Sequence, residues 1–187
     1  MIVVCSLKDL ETVCDTIKPS HLISVIDPGY EPKTPQGINL HLKLGFDDIL
    51  EISSDNQMYR LNTDEVPQLP PNKKHADMIE NFANSWNGKT PIVIHCWCGV
   101  SRSMAAATYF MCRENSSNID RNIRYIRSIA PHANPNKFLI NLFENSLNLE
   151  NKISMAYFQY PFTKSYDCSI NFAPITIFNI NDMMAFK

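Results

Sequence analysis

The chain has 187 residues and a formal net charge of −2, with 44% hydrophobic and 19% charged residues. That length suits one domain of ordinary size with a buried core, and the near-neutral balance excludes the strongly basic face that nucleic acid or an anionic membrane surface would demand. No stretch approaches the roughly 18 consecutive apolar residues of a membrane span, and Lys8, Asp9 and Glu11 follow the first apolar run too soon for a secretory leader.

The expected setting is therefore the cytoplasm, a reducing compartment in which the six cysteines (5, 14, 96, 98, 112 and 168) are thiols. There is no CxxC pair, and the single CxC has no second pair to join. Neither structural zinc nor a thioredoxin-type redox site fits that spacing, so no metal and no cofactor are expected.

In chain order, IVVC (2–5) reads as a short buried strand. Ser6 can cap a helix in which Leu7, Leu10, Val13, Cys14 and Ile17 recur at helical spacing before Pro19. HLISVID (21–27) is a second strand closed by Pro28-Gly29, and INLHLKL (38–44) alternates as a third. Residues 45–71 carry Asp47, Asp48, Asp55, Asp64 and Glu65 and end in VPQLPP; connections that long are usually functional.

Asn72 caps a helix reaching Trp86, with Ala76, Ile79, Phe82, Ala83 and Trp86 on one face and Asn87-Gly88 at its end. PIVIH (91–95) is fully apolar, as a central strand covered on both faces should be. Helices are expected over 102–114, 118–130 and 135–148. On the second, Arg121, Arg124 and Arg127 fall opposite Ile119, Ile123, Ile126 and Ile129, which reads as a solvated face. The order predicts an α/β fold with a short, mostly parallel central sheet of about four or five strands flanked by helices. Residues 1–150 are expected to form the domain. The aromatic-rich, charge-poor tail 151–187 is expected to pack on it or on a partner.

One stretch carries chemistry: HCWCGVSRS (95–103). It sets Cys96 at the C-terminal end of the central strand, where open α/β sheets bind ligands, with Arg102 opening the next helix. Residues 97–102 can curl so that their backbone N–H groups converge at the helix N-terminus, an anion nest. Gly99 relieves the point of closest approach, and Arg102 adds a planar fork for two oxygens of a dianion. A helix N-terminus and a nearby cation lower a cysteine thiol from about 8.5 to roughly 3.5–7.5. Anion site and nucleophile activation would then be one structure. Trp97, Cys98, Gly99, Val100 and Ser101 would line that nest. His95 is placed to support it from behind, and Ser103 to assist the sulfur as a leaving group. Trp97 can wall the pocket or pack beneath it. A Cys96–Cys98 bridge would be strained, so Cys98 reads as a small buried hydrophobe.

The pattern HCxxGxxRS/T resembles that of the cysteine-dependent protein tyrosine phosphatases, and every defined position matches. The chain closely resembles small bacterial phosphatase-like proteins of the dual-specificity type, whose loop commonly reads HCWAGISRS; it departs from that at Cys98 and Val100. The resemblance covers about residues 1–150 and implies a phosphatase fold of the dual-specificity type. It also implies a metal-independent phosphomonoesterase with Cys96 as nucleophile and Arg102 as phosphate and transition-state binder.

Such an enzyme needs a general acid. By resemblance it lies in LGFDDI (44–49), with Asp48 the first choice and Asp47 the alternative. In PHANPNKF (131–138), Asn136 matches a family position that supports the loop, while Asn134 before Pro135 equally fits a helix cap. The implied partner is a phosphorylated protein or a small phosphomonoester, with no nucleic acid and no membrane. Loop spacing and order set aside sulfurtransferases and low-molecular-weight phosphatases. A catalytically weak phosphate-binding adaptor stands as the alternative.

Overall fold

The computed structural model describes residues 1–49, 59–60, 63–166 and 170–187. In chain order the elements are β1 (Ile2–Ser6), α1 (Leu10–Ile17), β2 (His21–Ile26), β3 (Leu40–Gly45), β4 (Tyr59–Arg60), β5 (Thr63–Pro67) and α2 (Lys73–Ser85). They continue as β6 (Ile92–Cys96), α3 (Arg102–Glu114), α4 (Ile119–Ile129), α5 (Lys137–Leu147), α6 (Lys152–Gln159), β7 (Thr176–Phe178) and α7 (Ile180–Ala185).

The main sheet has the order β3-β2-β6-β1-β7. Its first four strands are parallel, and β7 runs antiparallel on β1, with Ile2 opposite Phe178 and Val4 opposite Thr176. Every residue of β1, β2 and β6 is buried, as strands covered by helices on both faces require. Alternate residues feed two cores. Val3, Cys5, Leu22 and Val93 pack with Leu10, Val13 and Cys14 of α1. Ile2, Val4, Ile23, Val25, Ile92 and Ile94 pack with residues of the other helices. The fold is thus α/β with a five-stranded, mostly parallel sheet. No helix among the described residues is long and apolar enough to cross a membrane.

Three expectations change. β3 begins at Leu40 rather than Ile38, and the long connection contains a two-stranded pair, β4 against β5; Asp55 of that connection lies outside the described residues. The last core helix starts at Lys137, with Asn136 as its N-cap, so Asn134 is not the cap. The arginine face of α4 is not simply solvated. Arg127 Nε donates to Tyr160 O at 2.6 Å and its guanidinium lies over the Tyr157 ring at 4.8 Å. Arg124 donates to Lys187 O at 3.0 Å. Carbonyls of the tail therefore take up these cations, and Ile129 turns out to solvent instead.

Candidate active site

β6 delivers Cys96 at its last residue, and α3 begins with Arg102. Between them Gly99 has φ +74°, and a Cβ there would meet Cys5 C at 3.1 Å and Ser6 N at 3.3 Å. The loop is wedged so tightly on β1 that only glycine fits. Gly99 N–H donates to Cys96 Sγ at 3.2 Å, and Ser103 Oγ lies 3.1 Å from the same sulfur, placed to donate to a thiolate. The sulfur itself is almost fully buried.

The loop's carbonyls are tied outward. Trp97 O accepts from Leu7 N at 3.1 Å, Val100 O from Asn134 N at 3.0 Å, and Ser101 O from Ala105 N at 2.9 Å and Asn136 N at 3.4 Å. A peptide unit is planar and trans, so a C=O held outward points the following N–H the other way. These bonds turn the amides of Cys98, Ser101 and Arg102 toward the interior of the loop. Ser101 occupies the N-cap position of α3 without capping it; its hydroxyl goes to Asp48 Oδ1 at 2.7 Å. The open helix N-terminus faces the same space.

Arg102 is only 3% exposed. Its Nη1 donates to Asp27 Oδ1 and to Phe46 O, both at 2.5 Å, while its buried Nε has no hydrogen-bond partner among the described residues. Asp48 Oδ2 is 3.9 Å from that Nε, too far to hydrogen-bond. An unsatisfied buried guanidinium N–H is costly; an oxyanion in the cavity would remove that cost. The cavity holds about 220 Å³ and is lined by Asp48, Cys96, Trp97, Cys98, Val100, Ser101, Arg102 and Asn134.

Of the two acids after β3, only Asp48 lines this cavity. Asp47 is 5% exposed, and its Oδ2 accepts from Leu69 N at 2.6 Å while its own N–H donates to Leu69 O at 2.8 Å. Asp48 Oδ1 accepts from Ser101 and from Asn136 Nδ2 at 2.8 Å. Asn136 also donates to Ile49 O at 2.9 Å and caps α5 through Leu139 N at 3.0 Å. Cap and support, alternatives in the sequence, are one residue here. Cys98 lines the cavity as a partly exposed side chain and is not the buried hydrophobe expected. By contrast, burial pushes Cys14 up to about 11 and Cys112 up to about 12.

Two sets of partners escaped the sequence reading. Asp27, at the end of β2, joins Arg102 to Trp97, whose Nε1 donates to its Oδ2 at 2.7 Å. Its signal was available: an acid at a strand's C-terminal end beside the strand bearing the loop. Behind the loop, His95 Nδ1 lies 3.4 Å from Cys96 O and His95 Nε2 lies 2.6 Å from Ser24 Oγ. Ser24 Oγ is also 2.7 Å from His41 Nε2, and His41 Nδ1 is 2.9 Å from Thr34 Oγ1. A carbonyl only accepts, so a neutral His95 donates from Nδ1 and accepts at Nε2 from Ser24. Ser24 then accepts from His41, and His41 from Thr34. Burial first, then neighbouring positive charge, holds both His95 and His41 down to about 4, so both are neutral near pH 7.

Among the described residues no group of three or more His, Cys, Asp or Glu is arranged to hold a metal ion. Residues 38–147, more than half of the chain, match the family model of the dual specificity phosphatase catalytic domain. The chain belongs to the dual specificity phosphatase family. The fold is similar to that of DUSP15, with a TM-score of 0.56 and 19% identity over 89% of this chain and 94% of that one. It is similar also to the Yvh1 phosphatase domain from Chaetomium thermophilum, with a TM-score of 0.54 and 18% identity over 81% and 93% of the two chains. PTPMT1, solved in complex with PI(5)P, gives a TM-score of 0.56 and 11% identity over 80% and 91%. At such identities the likeness is one of fold. No curated protein matches the sequence. In this family member the loop, its buried arginine and Asp48 converge on one cavity.

Proposed function

We propose that the protein is a metal-independent phosphomonoesterase working through a cysteinyl-phosphate, and that its substrate is a phosphorylated protein side chain, as in a tyrosine or dual-specificity phosphatase. The observation that carries this reading is the convergence on Cys96 Sγ of the Gly99 N–H and the Ser103 hydroxyl, in a cavity that Arg102 also lines. Donors aimed at the sulfur favour a thiolate. Preorganised N–H groups around the cavity stabilise equatorial oxygens as charge develops on them.

In the first step Cys96 Sγ attacks phosphorus and the bond to the leaving oxygen breaks. Asp48 gives that oxygen its proton. Oδ1 is occupied by Ser101 and Asn136, so Oδ2 is the oxygen that carries the proton. In the second step water attacks phosphorus, Asp48 takes a proton from it, and the S–P bond breaks. Ser103 donates to the departing thiolate, inorganic phosphate leaves, and enzyme and acid are both restored. Arg102 and the loop amides hold the phosphoryl oxygens throughout. Trp97, Cys98 and Val100 wall the entrance, and His95 and Asn136 hold the loop and the acid in place. No step calls for a cofactor. The complete set of nucleophile, arginine and acid weighs against the adaptor alternative. The loop interior WCGVS has no lysine for a polyanionic lipid headgroup, which favours a protein substrate. A cytoplasmic location, where the thiol stays reduced, belongs to the same proposal.

The test is hydrolysis of p-nitrophenyl phosphate with chelator present, followed by a phosphopeptide panel. Wild type should turn over and Cys96→Ser should lose roughly 10⁴-fold or more. Undiminished turnover in Cys96→Ser would overturn the mechanism. Release of phosphate from phosphoinositides but from no phosphopeptide would overturn the substrate class.

A further inference from the structure

The family match ends at residue 147, yet the tail beyond it touches the catalytic loop. Ala173, buried and lying just before β7, donates its N–H to Cys98 O at 3.2 Å. Cys98 O belongs to the same peptide unit as the Gly99 N–H that donates to Cys96 Sγ. Because that unit is planar and trans, its carbonyl and its N–H point in opposite directions. Holding the carbonyl outward aims the N–H at the sulfur.

The tail is fastened on either side of that bond. Upstream, Thr163 N and Lys164 N donate to Pro131 O at 2.9 and 3.3 Å, and Tyr166 packs edge-on against His132 at 5.4 Å. This anchors it next to Asn134, which holds Val100 O. Downstream, β7 pairs with β1, Phe178 is fully buried, and Asn179 N donates to Tyr125 Oη at 3.0 Å. Pro174 follows Ala173 and brings no N–H of its own, so of these two the N–H that reaches the loop is Ala173's.

We infer that residues 170–178 are a strap on the catalytic loop, in which the Ala173 N–H orients the Cys98–Gly99 peptide and thereby keeps the Gly99 N–H on the nucleophilic sulfur. Ala173 is a positioning residue acting through that peptide. The inference rests on Cys96 being the nucleophile of the proposed reaction. Loss of the strap bond frees the peptide to rotate and withdraws one charge-assisted donor from the thiolate.

Ala173→Pro deletes the N–H, and the reading to follow is Cys96 alkylation by iodoacetamide at mildly acidic pH, quantified on the Cys96 peptide by mass spectrometry. The rate should fall about tenfold, the effect of one hydrogen bond to a charged group. Ala173→Gly, which keeps the N–H, should restore it. A Pro variant with a native circular dichroism spectrum and an unchanged alkylation rate would overturn the strap.

If Ala173→Pro does not fold, amide-resolved hydrogen exchange of wild type decides. Orthovanadate in the cavity should slow exchange at Ala173, since coupling between loop and strap is reciprocal. Equal exchange with and without orthovanadate would overturn it. Absence of phosphatase activity in wild type would overturn the proposed function and leave the alkylation comparison intact.

Discussion

Residues 95–103 bring the proposed nucleophile, amides and arginine from one contiguous stretch, whereas the groups that hold this stretch in shape are scattered along the chain. Leu7, Ser24, Asp27, His41, Asn134, Asn136 and Ala173 each meet the loop or its immediate partners, and they come from β1's exit, β2, β3, the turn before α5 and the tail. The difference teaches that the chemical groups are local while their geometry is a property of the whole sheet. In the proposed reaction the loop residues act on the reacting atoms directly, and the scattered ones set angles and charge.

Replacing loop members should therefore cost more than replacing supports, and the following variants are ordered by that expectation. Arg102→Lys should lower kcat/KM by roughly 10²–10³-fold, because a point charge cannot keep the bonds of Nη1 to Asp27 and Phe46 and also present a planar fork to the phosphoryl oxygens. A loss under tenfold would remove the fork from the account. Asp48→Asn should slow phenyl phosphate by roughly 10²-fold and p-nitrophenyl phosphate much less, since the better leaving group scarcely needs a proton. Equal losses on both would move the acid elsewhere.

Asp27→Asn removes the charge behind Arg102 and keeps its side chain's volume; about a tenfold rise in the phosphate inhibition constant is expected. A loss as large as that of Arg102→Lys would erase the distinction between loop and support.

The smallest effect concerns pH. His41 and His95 are held near 4 when folded and titrate near 6.5 when unfolded, so each is neutral in both states well above pH 6.5. As pH falls from about 6.5 toward 4, the unfolded chain binds protons that the folded one excludes. Stability therefore declines through that window and levels off below it. His41→Gln should reduce the pH slope of the urea midpoint by about one proton in that window. An unchanged slope would show that the Ser24-centred chain is not neutral as argued.

The same division decides what the sequence could convey. The apolar runs of β1, β2 and β6 announced buried parallel strands, and HCWCGVSRS announced the tight turn between a strand end and a helix start, because both are local patterns. The choice between Asp47 and Asp48 was not legible, since it depends on Leu69, near the far end of the long connection, capturing Asp47. The pattern on α4 showed a basic stripe but not the tail carbonyls that receive Arg124 and Arg127. β7 is a three-residue strand with no periodicity to read, and only its pairing with β1 gives it meaning. Cys98 was misplaced for a related reason: the curl of a nest alternates inside and outside unlike a strand or a helix, so burial there does not follow spacing.

The most direct test of the central claim is rapid-quench mass spectrometry of the enzyme during turnover of p-nitrophenyl phosphate. A phosphoryl adduct should appear on the peptide bearing Cys96, form within the first turnover and be absent in Cys96→Ser. Turnover with no adduct on Cys96, or an adduct on another residue, would contradict the account.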